Sequence, residues 1–101
     1  ALAQAGQTAA AIENFEGVLE VRRDHIEALD YLALLVQKTA PQRAIGYLNR
    51  ILARKPAYPR ALELRARVKL SLHDRAGAER DLQNLLLVLP DHAWARQQLR
   101  R

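Results

Sequence analysis

The sequence predicts an all-α protein built from antiparallel helical hairpins, and three observations lead to this prediction. Apolar residues recur at helical spacing along most of the chain, short turns with Pro or Asp separate these segments, and one phrase occurs three times. The phrase occupies residues 8–28, 41–61 and 74–95. Because repetition of one helical phrase is typical of repeat proteins, we expect the hairpins to stack as an α-solenoid.

Length and composition set the limits of the prediction. At 101 residues the chain is one domain at most, and half of its residues are hydrophobic, which excludes disorder. It has no Cys, which excludes a disulfide framework, a thiol nucleophile and a thiolate metal site. No apolar run approaches the roughly 20 residues that span a bilayer. The chain starts inside a predicted helix and contains no Met, so we interpret it as part of a longer protein.

The net charge of +5 is unevenly distributed along the chain. Residues 1–24 carry four acids against two bases, a net −2, and residues 93–101 carry three bases and no acid, a net +3. The middle segments, 25–58 and 59–92, have net charges of +3 and +1. A basic balance of this size favours acidic partners but is also ordinary for a protein surface.

The first half of the chain predicts four helices. Residues 1–5 read as the tail of a helix that Gly6 stops, and Thr8 caps a helix over about 9–21. Asp24 and Glu27 have the spacing of a capping box and open a helix over about 25–38. Pro41, as the first helical residue, begins a helix over about 41–54.

The second half predicts three further helices, about seven in all. The segment 59–72 alternates apolar and polar residues, a period of two that by itself favours a strand. Its Ala, Leu, Arg, Lys and Glu residues are strong helix formers, so we predict a helix. Asp74 caps the next helix, 75–89, and Asp91 caps the last, which begins near His92.

The repeat has a measurable period. Pro56 to Pro90 and Ala44 to Ala78 are both 34 residues apart, and Ala11 to Ala44 is 33. The missing residue falls in the short turn before Pro41. This spacing divides the chain into a partial repeat (1–25), two repeats (26–58 and 59–92) and a terminal helix (93–101).

The chain resembles the tetratricopeptide repeat family in both period and residues. A helical hairpin of 34 residues is the period of that family. The matching positions are the small residues Ala33 and Ala66 in first helices, the small residues Ala11, Ala44 and Ala78 in second helices, the large apolar residues Phe15, Leu48 and Leu82, and the closing prolines Pro56 and Pro90. Gly6–Gln7 and His73–Asp74 look like the family's turns. The aromatic positions of the first helices are mostly aliphatic here, and Arg65 and Lys69 stand where apolar residues are usual, with methylene stems that can pack.

The resemblance implies a right-handed superhelix whose first helices line a concave groove that binds a peptide or a partner helix. The groove residues expected on this basis are Glu27, Asp30, Tyr31, Leu34, Lys38, Arg60, Glu63, Leu64, Arg67, Trp94, Gln97, Gln98 and Arg101. We expect the groove to be acidic at one end and basic at the other, with Tyr31 and Trp94 as anchors. The alternative for Trp94 is that it covers the end of the stack.

One activity of the family is not expected. One well-known activity of the tetratricopeptide repeat family is the capture of chaperone C-terminal carboxylates by a clamp of Lys and Asn side chains. The corresponding positions here are Asp30, Tyr31 and Glu63, and the two acids would repel a carboxylate.

No constellation of residues predicts catalysis, a cofactor or a metal. His25 and His92 occupy the same place in different repeats, a hairpin apart, so we interpret them as surface residues beside helix caps. Glu16 and Glu20 lie one helical turn apart without a base or nucleophile nearby. No Gly-rich phosphate loop or Ser/His/Asp spacing is present, so we expect no enzyme activity from this chain.

The strongest basic patch is a stripe on the outer face of the fourth predicted helix, formed by Arg43, Tyr47, Arg50 and Arg54. Such a stripe can neutralise phosphates or an acidic partner, and it can equally be an ordinary solvated face.

The leading hypothesis is a non-catalytic scaffold that binds another protein or peptide. The alternatives are nucleic-acid or polyanion binding through the basic stripe, which we consider less favoured, and a repeat module attached to an enzyme in a longer chain. Self-association through exposed stack ends, at Ala1, Leu2, Ala95 and Leu99, is a further expectation.

Overall fold

The computed structural model describes residues 2–100, with side chains from Gly6 onward, and this part of the chain is all helical. The helices are α1 (Leu2–Val21), α2 (Ile26–Val36), α3 (Pro41–Arg54), α4 (Pro59–Ser71), α5 (Arg75–Val88) and α6 (Ala93–Leu99). The prediction of an all-α protein is confirmed. Each helix packs against the next one along the chain, so the contacts run in sequence from α1 to α6. No helix within residues 2–100 is both long enough and apolar enough to cross a bilayer.

The predicted count of seven helices is wrong for the described residues, where there are six. Gly6 does not stop a helix and Thr8 does not begin one, because α1 continues through both. Gly6–Gln7 is therefore not a turn. Gly6 does not adopt a positive φ, and the nearby Ala5, Ala9 and Ala10 favour the helix strongly enough to offset the roughly 1 kcal/mol cost of an interior Gly.

Helix starts are only partly where the sequence placed them. Asp74 caps α5 as predicted, since its carboxylate accepts a hydrogen bond from the Gly77 N–H at 3.0 Å. The predictions of Asp24 and Asp91 as caps are wrong. The cap falls one residue later, on His25 and His92, where the backbone is extended and the imidazole faces the third helical N–H.

The turn between α4 and α5 follows the predicted His73–Asp74 step. His73 has φ 62°, in the left-handed region. The Asp74 N–H donates to the Lys69 carbonyl at 2.8 Å and the His73 N–H donates to the Leu70 carbonyl at 3.1 Å. This is a Schellman ending, which satisfies the last carbonyls of α4 and reverses the chain.

The alternating segment is helix α4, as predicted, and its packing explains the alternation. Ala61, Leu64 and Val68 form one buried stripe at helical spacing, and Leu62 and Ala66 form a second. The two stripes lie side by side on the helix surface. Together they bury nearly every second residue between Ala61 and Val68. Helix α4 packs against α3 on one side and α5 on the other, so a helix with two covered sides produces a pattern that resembles a strand.

The core is assembled from small and aliphatic residues at repeat-equivalent positions. Ala33 and Ala66, the small residues of the first helices, are completely buried, as are Ala44 and Ala78 in the second helices. Without bulky side chains at these points, neighbouring helix backbones can approach closely. Leu48, Leu82 and Leu85 fill the space around them, each at most 1% exposed.

Candidate functional site

A depression of about 300 Å³ lies between α2 and α4, and it is the centre of the candidate site. The residues that line it are Asp30, Leu34, Gln37, Arg60, Glu63, Leu64 and Arg67. Six of these seven belong to the groove predicted from the sequence. Gln37, the C-cap residue of α2, was missed, although its spacing of three from Leu34 could have indicated it. Leu64 is buried and forms the floor, whereas Leu34 is 45% exposed on the wall.

Two further depressions adjoin the central one and lengthen it. One is lined by Glu27, Tyr31 and Tyr58 and shares Asp30 and Arg60 with the centre. The other includes Lys38, Pro41, Ser71 and Leu72 and shares Gln37 and Arg67. These shared residues make one elongated groove along α2 and α4, which we call the α2/α4 groove.

Asp30 and Arg60 join the two walls of this groove. The Arg60 Nε donates to the Asp30 carboxylate at 2.8 Å across 30 residues of sequence. The Asp30 side chain is only 12% exposed, whereas that of Arg60 is 66% exposed. The buried carboxylate thus holds an arginine whose remaining guanidinium N–H groups face solvent.

Glu63 connects α4 to the start of α6. Its carboxylate lies 2.5 Å from His92 Nε2 and 3.6 Å from Arg67 Nε. The His92 Nδ1 accepts a hydrogen bond from the Ala95 N–H, so the neutral imidazole carries its proton on Nε2 and donates it to Glu63. A single imidazole therefore caps α6 and fixes that helix to α4.

Trp94 lies beneath Arg67. The guanidinium carbon of Arg67 is 3.9 Å from the centroid of the indole ring, which is a close cation–π contact between α4 and α6. Trp94 is half-buried against the core, and the Arg67 guanidinium lies over its ring. A ligand would contact Arg67 before it contacts the ring.

Tyr31, the other predicted anchor, is also partly engaged. Its ring stacks on Phe15 of α1 with centroids 5.2 Å apart and planes at 12°. Half of the residue remains exposed beside the groove. The stacking holds the ring in one orientation, which lowers the entropy cost of a contact with a ligand.

The charges of the groove are interleaved. Asp30 pairs with Arg60, and Glu63 pairs with Arg67 and His92, so each of these acids faces a base on the same wall or the opposite one. The centre of the groove therefore presents alternating signs to a ligand over short distances. The two ends differ in charge, because Glu27, Asp30 and Arg60 line one outer depression, whereas Lys38 and Arg67 are the charged residues that line the other.

Three of the predicted groove residues line none of the three depressions, namely Trp94, Gln97 and Gln98. Gln97 is exposed on α6. Gln98 is half-buried, and its backbone carbonyl accepts a hydrogen bond from Arg75 of α5 at 2.7 Å. Arg101 lies outside the described residues.

The predicted basic stripe on α3 makes contacts with α1 and the turn that follows it. Arg43 donates to Tyr47 at 2.9 Å and to Glu16 at 3.3 Å, and the Tyr47 hydrogen bond raises the pKa of the Arg43 guanidinium. Arg54 pairs with Asp24 at 3.2 Å.

The third arginine of the α3 stripe, Arg50, donates a hydrogen bond to the Arg23 carbonyl. The stripe therefore joins α3 to α1 through exposed pairs, which contribute little to stability. Binding of a polyanion there would compete with these partners, and that hypothesis stays a prediction.

A buried ionic cluster between α4 and α5 was missed. Asp81 is 1% exposed and accepts two hydrogen bonds from Arg65, at 2.9 and 2.6 Å, and an ion pair from Lys69 at 3.2 Å. Arg65 also donates to Asn49 of α3 at 2.8 Å. The sequence predicts that Arg65 and Lys69 pack through their methylene stems, but it is their charged groups that contact Asp81.

A signal for this cluster was present in the repeat. The equivalent positions one repeat earlier are Leu32, Val36 and Tyr47. The three charged residues that replace them, Arg65, Lys69 and Asp81, all lie in one hairpin and include both signs of charge. This combination indicates that they contact each other.

The two predicted surface histidines are themselves the helix caps. The His25 Nδ1 accepts from the Ala28 N–H at 3.1 Å, in the same way as His92. Among residues 2–100, no three His, Cys, Asp or Glu side chains come together in a way that could hold a metal ion.

Comparisons with known proteins add no family or relative. No protein-family model matches the chain, and no curated protein matches it significantly. The functional assignment therefore rests on the geometry described above.

Proposed function

We propose that the chain is a non-catalytic scaffold that binds an extended peptide or a partner helix in the α2/α4 groove. The observation that carries the proposal is the continuous groove itself, with Leu64 at its floor, Leu34 on its wall and charged side chains at its rim. A concave apolar floor with a few placed polar groups is the usual form of a recognition site.

A tetratricopeptide-like superhelix is the arrangement that we propose for these hairpins. It is supported by the chain-order packing of the six described helices and by the complete burial of Ala33, Ala66, Ala44 and Ala78 at equivalent positions. In such a superhelix α2, α4 and α6 are the first helices. The groove between α2 and α4 then continues toward Trp94 on α6.

The groove chemistry favours a ligand with one apolar side chain between charged neighbours. Leu34 and Leu64 form an apolar contact surface in the groove. Beside this surface, Arg60 and Arg67 each keep exposed guanidinium N–H groups. Because each arginine is already paired with an acid, it can rearrange toward a ligand carboxylate only by leaving that acid. We therefore expect apolar contact to supply more affinity than charge does.

The test begins with capture of partners by the tagged chain from an extract of the cells that produce it, followed by mass spectrometry. Purified candidates are then titrated into the chain while the fluorescence of Trp94, its single tryptophan, is followed. Leu34→Glu and the double variant Arg67→Glu/Trp94→Ala should each weaken a genuine groove partner at least about tenfold. Fluorescence cannot follow the second variant, so calorimetry replaces it there.

Two matched controls separate the groove from other surfaces. Leu87→Glu places the same charge at an apolar residue of α5 that is 81% exposed and should leave binding unchanged. The triple variant Arg43→Glu/Arg50→Glu/Arg54→Glu alters the stripe on α3. If only the triple variant loses the captured partner, the groove proposal is wrong and the stripe is the binding surface.

A further inference from the structure

The α2/α4 groove carries one unpaired charge near each of its two ends. Glu27 lines one outer depression and Lys38 lines the other. Among the side chains that the structure describes, neither of the two has an ion-pair partner, and both are exposed. The central acids differ, because Asp30 and Glu63 each hold a base of the protein. Glu27 and Lys38 can therefore bind an oppositely charged group without first breaking a contact.

Glu27, Leu34 and Lys38 follow one line along α2. Glu27 and Leu34 are seven residues apart, which is close to two turns of a helix, and Lys38 comes four residues later. Lys38 lies just beyond the last residue of α2, where Gln37 still has helical dihedral angles. At a rise of about 1.5 Å per residue, Leu34 is about 10 Å and Lys38 about 16 Å along the helix from Glu27. The groove thus presents an acid, an apolar side chain and a base in that order.

The width of the groove favours an extended chain over a helix. The hydrogen bond from Arg60 to Asp30, 2.8 Å long, joins the two walls, so the walls are a single ion pair apart at this point. An α-helix with its side chains is about 10–12 Å across, whereas neighbouring extended chains lie about 5 Å apart. An extended chain can therefore lie lower between the walls. The exposed guanidinium N–H groups of Arg60 can then donate to its backbone carbonyls.

We propose that the α2/α4 groove selects extended peptides in which one apolar residue stands between a basic and an acidic residue. An extended chain advances about 3.3 Å per residue. The base that contacts Glu27 is therefore about three positions from the apolar residue on Leu34, and the acid that contacts Lys38 is about two positions beyond it. The inference rests on the proposed function and names the class of ligand for the same groove.

The two unpaired charges decide which ligand is preferred, while the apolar contact supplies most of the affinity. Both side chains are exposed, so each new ion pair contributes modestly. A ligand with two acids is attracted at Lys38 but repelled at Glu27, and a ligand with two bases is repelled at Lys38 instead. A ligand with one charge of each sign avoids repulsion at both ends.

The experiment titrates acetylated and amidated hexapeptides into the isotope-labelled chain at low salt and follows backbone amide shifts by NMR, which detects millimolar binding. The mixed peptide is Lys-Ser-Ser-Leu-Ser-Glu. The two-base peptide Lys-Ser-Ser-Leu-Ser-Lys, the two-acid peptide Glu-Ser-Ser-Leu-Ser-Glu and the neutral peptide Gln-Ser-Ser-Leu-Ser-Gln are compared with it. All should shift the amides of Leu34, Gln37 and Leu64. The mixed peptide should bind at least about threefold more tightly than either like-charged peptide, with the neutral peptide between them.

Reversal of the charge at one end at a time is the decisive measurement. Glu27→Lys gives the groove an unpaired base at each end and should make the two-acid peptide the tightest ligand. Lys38→Glu gives it an unpaired acid at each end and should make the two-base peptide the tightest ligand. Both expectations hold for either direction of the bound peptide.

Matched controls change the same charges away from the groove. Glu13→Lys on α1 and Arg80→Glu on α5 alter exposed residues that line none of the three depressions. These variants have the same net charges as the groove variants and should leave the order of the peptides unchanged. Circular dichroism should show that all variants keep the helix content of the parent.

Three outcomes overturn the inference. Equal affinity of all the peptides at the groove amides would show that the unpaired charges do not select the ligand, while the groove itself stays supported. A preference that Glu27→Lys and Lys38→Glu leave unchanged would assign the selection to other residues. If no peptide shifts the groove amides, extended peptides of this class are not ligands. The proposed function is then judged separately by partner capture with Leu34→Glu, which uses none of these peptides.

Discussion

Asp81 shows how much a single buried side chain organises around itself. Asp81 is almost fully buried. The sequence of α5 gives no sign of this burial, because the partners of Asp81 are Arg65 and Lys69 on α4. One carboxylate faces two cations whose side chains are about four-fifths buried. Removal of the acid therefore leaves two desolvated positive charges facing one another.

Asp81→Ala should destabilise the fold by about 3–5 kcal/mol, because it leaves buried charges without a partner. Urea unfolding followed by circular dichroism measures this change. The matched control is Asp24→Ala, which breaks an ion pair with Arg54 in which both side chains are at least half exposed, and should cost at most about 1 kcal/mol. Equal costs for the two variants would contradict the importance of burial.

The chain itself supplies an apolar replacement for the cluster. The triple variant Arg65→Leu/Lys69→Val/Asp81→Tyr copies Leu32, Val36 and Tyr47 from the equivalent positions of α2 and α3. Replacement of a whole buried ionic cluster by packed apolar residues is often neutral or stabilising by about 1–4 kcal/mol. We expect this variant to unfold at the same urea concentration as the parent or higher, in contrast to Asp81→Ala.

His73 occupies a backbone conformation that favours glycine. Its φ of 62° costs an L-residue about 1 kcal/mol, so His73→Gly should stabilise the chain by about that amount. His73→Ala is the control, since Ala keeps a Cβ and should give no gain. A stabilising effect of both variants in thermal unfolding would mean that the imidazole, and not the backbone, is unfavourable.

At the scale of elements, α1 and α4 each contain a local sequence signal that the helix does not follow. Gly6 and Thr8 look like the end of one helix and the start of another, but α1 runs through them. The alternation in α4 looks like a strand, but two helical stripes produce it.

Gly6→Ala tests the continuity of α1. An Ala in a helix interior stabilises it by about 0.5–1 kcal/mol relative to Gly. Among the described residues, and apart from the adjoining residues and the helix's own nearby backbone, no atom lies within 4 Å of the added Cβ. Gly46→Ala, in the middle of α3 and equally unobstructed, should give a similar gain. If Gly6 ended a helix in the left-handed conformation, Gly6→Ala would instead lower the unfolding temperature while Gly46→Ala still raised it.

For the whole molecule, packing in chain order means that stability is unevenly distributed. Helices α3 and α4 have packed neighbours on both sides, whereas α6 has seven residues and lies at the end of the described helices. Stability in such an arrangement is approximately a sum of local and nearest-neighbour contributions.

Native-state hydrogen exchange should therefore be slowest for amides of α3 and α4 and faster by at least about tenfold in α6. His92→Ala removes both the cap of α6 and its link to Glu63, and should speed exchange in α6 while leaving α3 unchanged. Exchange at one common rate in all helices would show that the chain opens only as a single unit, contrary to this expectation.

The sequence by itself determined the helical class, the repeat spacing, the small residues at close helix contacts and six of the seven side chains around the central depression. The helical class, the spacing and the small residues follow from periodicity, which depends on the residues of one element or on equivalent residues of two. The side chains around the depression were expected from the resemblance to the tetratricopeptide repeat family. Only the tertiary structure decided which charges pair, because Asp81–Arg65, Asp30–Arg60 and Glu63–His92 join residues 16 to 30 positions apart on different helices. The tertiary structure also decided that imidazoles cap α2 and α6, because the capping residue is the last residue of the preceding turn. It decided that Arg67 covers Trp94, because this contact depends on the distance between two packed helices.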